Sequence, residues 1–194
     1  MTTPTVRTAT PADADAVFSV LTLAFSTDPI ERWLYPNPQQ YWQHFPRLLH
    51  AFGRNAFAHG TAYLLDNQAG ATIWLPPGSH FDEDEFSTVL TETVTAAAMT
   101  DLLALFNALE PYAPTTPHWY LALIGVDPFR QARGFASTLL THTLSRCDEE
   151  HLPVYLESTN PRNTPIYERY GFVLLDTVQV GNAPPMFPML RQPR

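Results

Sequence analysis

The chain has 194 residues and a net charge of −8, with 45% of residues hydrophobic and 15% charged, the balance of a globular rather than a disordered protein. No basic run accompanies that acidity, so nucleic acid and membrane surfaces are not expected partners, and no apolar run approaches the ~20 residues that span a bilayer. Lysine is absent, which removes Schiff-base chemistry and a Walker-type phosphate loop, and the lone cysteine, Cys147, removes internal disulfides and multi-cysteine metal sites.

The opening stretch lacks the basic and apolar regions of a signal peptide, so a cytoplasmic protein is expected. "TVRTA" reads as a first strand. Thr10, Pro11 and Asp13 then start a helix whose apolar side carries Val17, Val20, Leu21, Ala24 and Phe25. "STDPIERWLYPNP" is broken by prolines and crowded with aromatics, and a second helix over "QQYWQHFPRLLHAFGRNAF" is expected to be interrupted near Pro46. "GTAYLLD" and "GATIWLPPG" form a strand pair around "NQAG". The segment from Phe81 to Pro114 has helical apolar spacing and reads as one or two helices, an insertion around residues 80–110. Its acids Asp82 to Glu85 lack the ligand spacing of a calcium loop and suit a first helical turn. Then come a strand "HWYLALIGV", a helix "GFASTLLTHTLSRCDEE" with Cys147 on its apolar stripe, and a strand "PVYLEST". A short helix "TPIYERY" follows, read with Thr164 as cap, Pro165 at its first position and Gly171 past its end, and "FVLLDTVQV" and "MFPML" close the chain as strands. With no repeats and no dividing linker, one domain over residues 1–194 is expected. The seven histidines show no HExxH spacing, so no metal site is expected.

The strand–turn–helix from Val126 to Leu140 presents unpaired backbone N–H groups at a helix start, a concavity suited to phosphate. Gly134 permits a close backbone approach there, and Arg130 and Arg133 add charge. The dinucleotide fingerprint does not fit, since only one of its three glycines is present. Taken alone, these residues suit a capped helix with solvated arginines equally well. The downstream residues extend the pattern. "QARGFA" matches the Q/R-x-x-G-x-G/A phosphate loop of the GNAT superfamily of acyl-CoA-dependent N-acyltransferases through Gln131, Arg133, Gly134 and Ala136. "NPRNTPIYERYGF" matches that family's later asparagine, tyrosine and Gly-Phe at Asn160, Tyr167, Gly171 and Phe172. The two motifs, in order and on the expected elements, make the chain resemble this superfamily. Ala132 departs from the glycine often found after the glutamine.

The resemblance implies an α/β fold: a central, mostly antiparallel mixed sheet flanked by helices. It further implies acetyl-CoA or another acyl-CoA as co-substrate, held by the backbone of Ile124 and Val126, the loop Gln131, Ala132, Arg133, Gly134, Phe135, Ala136 and Ser137, and the amide of Asn160. Tyr167 would protonate the departing sulfur. A substrate amine needs a base, for which Glu157 is the first choice and His118 the rival, each with a purely structural reading beside it. The aromatics Trp33, Tyr35, Trp74, Trp119 and Tyr120, with the acids Asp28 and Glu31, are read either as a pocket for a cationic acceptor or as core. The expected activity is N-acetylation of a small primary amine by direct attack in a ternary complex. A protein N-terminal acetyltransferase and a catalytically weak acyl-CoA sensor or partner module are the alternatives. A homodimer is one option for the assembly.

Overall fold

The structure, a computed structural model, describes residues 4–194, so Met1 to Thr3 lie outside it. A seven-stranded sheet runs through it: β1 (Val6–Thr8), β2 (Ala62–Leu65), β3 (Gly70–Leu75), β4 (Trp119–Val126), β5 (Val154–Ser158), β6 (Val173–Leu174) and β7 (Phe187–Arg191). The spatial order is β1-β2-β3-β4-β5-β7-β6, and β4 with β5 is the parallel pair in an otherwise antiparallel sheet. This is the mixed sheet expected from the resemblance.

One face is covered by α1 (Ala14–Ala24), α2 (Pro29–Leu34), α3 (Pro38–Gly53), α4 (Asn55–Ala58), α5 (Glu83–Thr93) and α6 (Ala96–Leu109), which build the larger core. The other face packs against α7 (Phe135–Glu149) and α8 (Thr164–Arg169), around Trp74, Trp119, Leu140, Leu144 and Cys147. The Cys147 thiol is fully buried and its pKa is pushed up to about 12, first by burial and then by Glu150. The insertion resolves into two helices: the Asp82 side chain caps α5 by accepting from the Glu85 N–H at 3.0 Å, and Thr95 caps α6. Asp82 to Glu85 thus form a cap and a first turn.

Two local expectations are corrected. Helix α3 runs unbroken through Pro46, because the buried stripe of Tyr41, Phe45, Leu48 and Leu49 outweighs the one backbone bond a proline removes. Thr164 is the first residue of α8 rather than its cap. Asn163 holds the capping position at the end of a short 3-10 turn, and the Thr164 hydroxyl is buried without a partner among the described residues. Helix α8 is held from behind by Arg191, whose guanidinium is buried, pairs with both Asp148 oxygens at 2.8 and 2.7 Å, and donates to the Tyr170 carbonyl at 2.8 Å. Arg191 in turn keeps the Asp148 carboxyl below its usual range.

The parallel pair is short. Its register holds only at Trp119 opposite Val154 and Tyr120 opposite Tyr155, after which the strands separate. On its other side β4 carries one extra residue. Ile73 faces Leu123 while Trp74 faces Leu121, so Ala122 is the bulged position. The buried Thr72 hydroxyl donates to the Leu123 carbonyl at 2.9 Å and satisfies the backbone beside that irregularity.

Candidate active site

The opening between β4 and β5 joins two hollows. A chamber of about 690 Å³ lies on the side of the helical insertion, and a cleft of about 520 Å³ lies toward α7 and α8. Phe25, Ile124, Asn163 and Tyr167 line both.

The cleft is built by the strand–turn–helix. Asp127 caps a 3-10 turn by accepting from the Phe129 N–H at 2.9 Å, and the chain then passes Ala132 at φ 59° and Gly134 at φ 82° into α7. The first helical turn leaves the N–H groups of Phe135 to Ser137 without intrahelical acceptors, and they lie at the cleft wall. Gly134 stands in left-handed backbone, which favours glycine, and a Cβ there would meet no protein atom within 4 Å, so the space beside it is open to a ligand. Gln131, Ala132, Gly134, Phe135, Ala136 and Ser137 line the cleft as expected, joined by Val126, while Arg133 is exposed beside it. Arg130 turns away to Asp127 and to the Asn67 carbonyl. The cations on the cleft wall are Arg162 and Arg169, which sequence reasoning missed, although they flank Tyr167 by five and two positions. Asn160 lines the cleft while its Oδ1 accepts from the Arg162 N–H at 3.1 Å, leaving its amide nitrogen free among the described residues.

Tyr167 sits where cleft and chamber meet. Its ring packs edge-on to Phe172 at 5.8 Å, and among the described residues its hydroxyl has no hydrogen-bond partner. Burial, and then the Asp28 carboxylate, raise the phenol's pKa, so it stays a donor. Asp28 also caps α2. Its Oδ1 accepts from Ile30 N–H at 3.0 Å and its Oδ2 from the Thr159 hydroxyl at 2.6 Å, which fastens α2 to the end of β5. Burial raises its carboxyl in spite of those bonds.

The chamber is largely apolar, walled by residues such as Phe45, Phe52, Phe81, Phe86 and Phe106, with the loops Pro76–Phe81 and Ala113–Pro117 at its rim. On the sheet side Glu157 accepts from Tyr120 at 3.1 Å through Oε2 and from Tyr155 at 3.0 Å through Oε1. Burial nevertheless raises its carboxyl above the ordinary value. Each oxygen keeps a lone pair for a further donor. His118 also lines the chamber. Its Nδ1 lies 2.8 Å from the Thr116 carbonyl, which can only accept, so the neutral ring carries its proton there and leaves Nε2 open.

The aromatic pocket expected from sequence is only partly formed by the residues named for it. Tyr120 lines the chamber. Trp74 does not, because strand alternation carries it through to the opposite face, where it is fully buried beside the equally buried Trp119. The Trp119 indole instead donates to Glu150 at 2.7 Å. Tyr35 is core, its hydroxyl 2.9 Å from Thr93 Oγ1 and so tying α2 to α5, and Trp33 packs against the same core. Asp28 faces the cleft rather than the chamber, whereas Glu31 lines the chamber. The phenylalanines that form the walls were legible only as helix stripes.

Residues 84–192, more than half the chain, match the acetyltransferase (GNAT) domain family. The chain belongs to the GNAT family. An uncharacterized N-acetyltransferase of Schizosaccharomyces pombe is 28% identical over 190 residues, covering 88% of this chain and 76% of the relative. Among solved structures, a histone acetyltransferase HPA2 and related acetyltransferase from Corynebacterium glutamicum superposes with a TM-score of 0.72 at 24% identity, covering 100% of this chain and 98% of the other. A Drosophila melanogaster polyamine N-acetyltransferase that forms N-acetylagmatine superposes with a TM-score of 0.65 at 15% identity, over 98% of this chain and 100% of the other. The protein is therefore an N-acetyltransferase of GNAT type, a family whose co-substrate is acetyl-CoA. The cleft fits that group: unpaired N–H donors and two arginines suit phosphates, and the opening beside β4 leaves strand backbone unpaired for an extended amide chain. Among the described residues no helix is long and apolar enough to cross a membrane.

Proposed function

We propose that the protein transfers an acetyl group from acetyl-CoA to a primary amine of a small, largely apolar molecule, by direct attack within a ternary complex. The observation that carries this is the charge of the chamber. Its charged lining residues are Glu31, Glu110 and Glu157, no arginine lines it, and the chain has no lysine to supply a cation. An apolar cavity of this size whose carboxyls have no cation beside them suits an organic cation. The N-acetylagmatine formed by the Drosophila enzyme, the acetylated form of an organic cation, agrees with that class.

Acetyl-CoA supplies the activated acyl group, its phosphates at the Gln131–Ser137 loop with Arg162 and Arg169. Glu157 takes the proton of the substrate ammonium, and its raised pKa brings it nearer the working pH of such a base. His118, with Nε2 open, offers a route for that proton onward. As the new C–N bond forms and the C–S bond breaks, Tyr167 donates to the departing sulfur. Asp28 keeps α2 fastened to β5 at the junction.

The test is thiol release from acetyl-CoA over a panel of primary amines, with Tm measured in the presence of CoA. CoA should raise Tm by mass action and ATP much less, and Gly134→Glu should abolish the shift. An unchanged shift in that variant would mean that the phosphates bind elsewhere.

A further inference from the structure

The chamber holds a second carboxyl that the reaction above does not use. Glu31 projects from the first turn of α2, on a different wall from Glu157 on β5. Its Oε2 is closed off from solvent and has no hydrogen-bond partner, and Glu31 takes part in no ion pair among the described residues. Glu157, by contrast, has both oxygens met by phenols. An enclosed carboxyl oxygen with nothing to receive is a costly arrangement, and native chains seldom keep one without a use. Its chain neighbours Ile30 and Leu34 offer no side-chain donor, and the Tyr35 and Tyr41 hydroxyls, near enough to feel its charge, are engaged with Thr93 and the Thr22 carbonyl. Glu31 lines the chamber, so a molecule that fills it can bring a donor to the unpaired carboxyl.

We infer that the acceptor carries, besides the amine that is acetylated, a second N–H or O–H donor which Glu31 receives. The inference rests on the acceptor-chamber reading above and narrows it from amines to bifunctional amines. An alkylamine with a plain hydrocarbon tail satisfies Glu157 and leaves the Glu31 carboxyl unpaired. A molecule with a second donor satisfies both walls. Sites that hold a polar group ready for a substrate donor reject analogues lacking it far more strongly than apolar pockets discriminate by size. Burial, and then the neighbouring Asp28, raise the Glu31 carboxyl well above its ordinary value, so the empty chamber favours its neutral form. A cationic tail supplies the charge that lets it ionise.

The experiment compares hexylamine, aminohexanol and hexane diamine, with their butyl and octyl homologues, as acceptors for the wild type, Glu31→Gln and Glu31→Met. In the wild type kcat/KM should favour the better of the two donor-tailed probes over the plain amine by about tenfold or more, the scale of a hydrogen bond to a charged group. Glu31→Met, which removes the acceptor, should bring that ratio to about one, and Glu31→Gln, which keeps a neutral carbonyl acceptor, should lower it. A wild-type ratio near one at every length overturns the inference while leaving acetyl transfer intact. So does a ratio that survives in both variants, including the case where all acceptors slow equally, since Glu31 then belongs to the chemistry or the fold. If no amine is turned over, the acetyl-transfer reading fails separately. Tm shifts by the same probes with CoA present then decide the inference by binding: a larger shift from donor-tailed probes, lost in Glu31→Met, supports it, and equal shifts overturn it.

Discussion

Removing the Tyr167 hydroxyl separates chemistry from packing more cleanly than any other single change in this site. The ring is buried against Phe172, but the hydroxyl has no protein partner among the described residues, so Tyr167→Phe orphans nothing. Stability should change by less than about 0.5 kcal/mol, the range of substitutions that break no named interaction. Acetyl-CoA binding should persist, since the cleft wall keeps its shape. Burial and Asp28 hold the phenol protonated at neutral pH, so what the variant loses is a donor present throughout the assay range. General-acid assistance is worth ~10²–10⁴-fold, so kcat should fall at least about tenfold, or ~1.4 kcal/mol of barrier. The assay is steady-state and single-turnover thiol release beside CoA-induced Tm shifts. An unchanged single-turnover rate would remove Tyr167 from the mechanism, and a fall of several kcal/mol in stability would make the residue structural.

Glu157→Gln should lower kcat/KM by about 10²-fold or more and abolish an acid limb lying above the ~4.3 of an ordinary glutamate, because the base must ionise and its pKa is raised. The same shift has a stability sign. A group whose folded pKa is raised stays protonated in the native state after the unfolded chain has ionised, so wild type should lose Tm relative to Glu157→Gln as pH rises from the ordinary glutamate value through the raised one. A pH-independent difference would refute it. In the loop that leads into α7, Ala132 at φ 59° and Gly134 at φ 82° give opposite expectations. Ala132→Gly should raise Tm by relieving a left-handed alanine, by up to about 1 kcal/mol after the added chain entropy. Gly134→Ala should lower stability by about 1–2 kcal/mol although its Cβ meets nothing within 4 Å, and equal signs in a thermal melt would show that φ does not govern this loop.

What the sequence made legible was local and punctuated. The turn from Gln131 to Ser137, the later asparagine and tyrosine at the cleft, and Glu157 on the face opposite Val154 and Leu156 all follow from residues within a few positions of one another. Strand alternation predicts the Glu157 orientation, and Val154 and Leu156 do enter the other core. The acceptor side was poorly legible for a physical reason. Trp33, Tyr35 and Trp74 look alike as aromatic residues, and only the sheet's two faces separate Tyr120 in the chamber from Trp74 beneath it. Arg162 and Arg169 reach the cleft through the 3-10 turn and α8, a fold-back that composition does not encode. Pro46 misled because a local helix breaker was weighed without the buried stripe around it.

The least legible feature connects the fold to the site most directly. "WYLALIGV" is apolar throughout, so nothing in it marks Ala122 as an extra residue. In an unbroken strand, side chains two apart share a face, and Leu123 and Gly125 would follow Trp119 and Leu121 toward α7. The bulge reverses that. Leu123 joins the larger core, and Gly125 lies under α1, so close that a Cβ there would stand 2.6 Å from the Ala24 Cβ. Only glycine admits that approach, and it lets α1 bring Phe25 to the junction shared by chamber and cleft. The same strand parts from β5 just before the bulge, after Tyr120. One inserted residue thus turns the second half of β4 over, docks α1 against it, and accompanies the gap where acyl group and amine can meet.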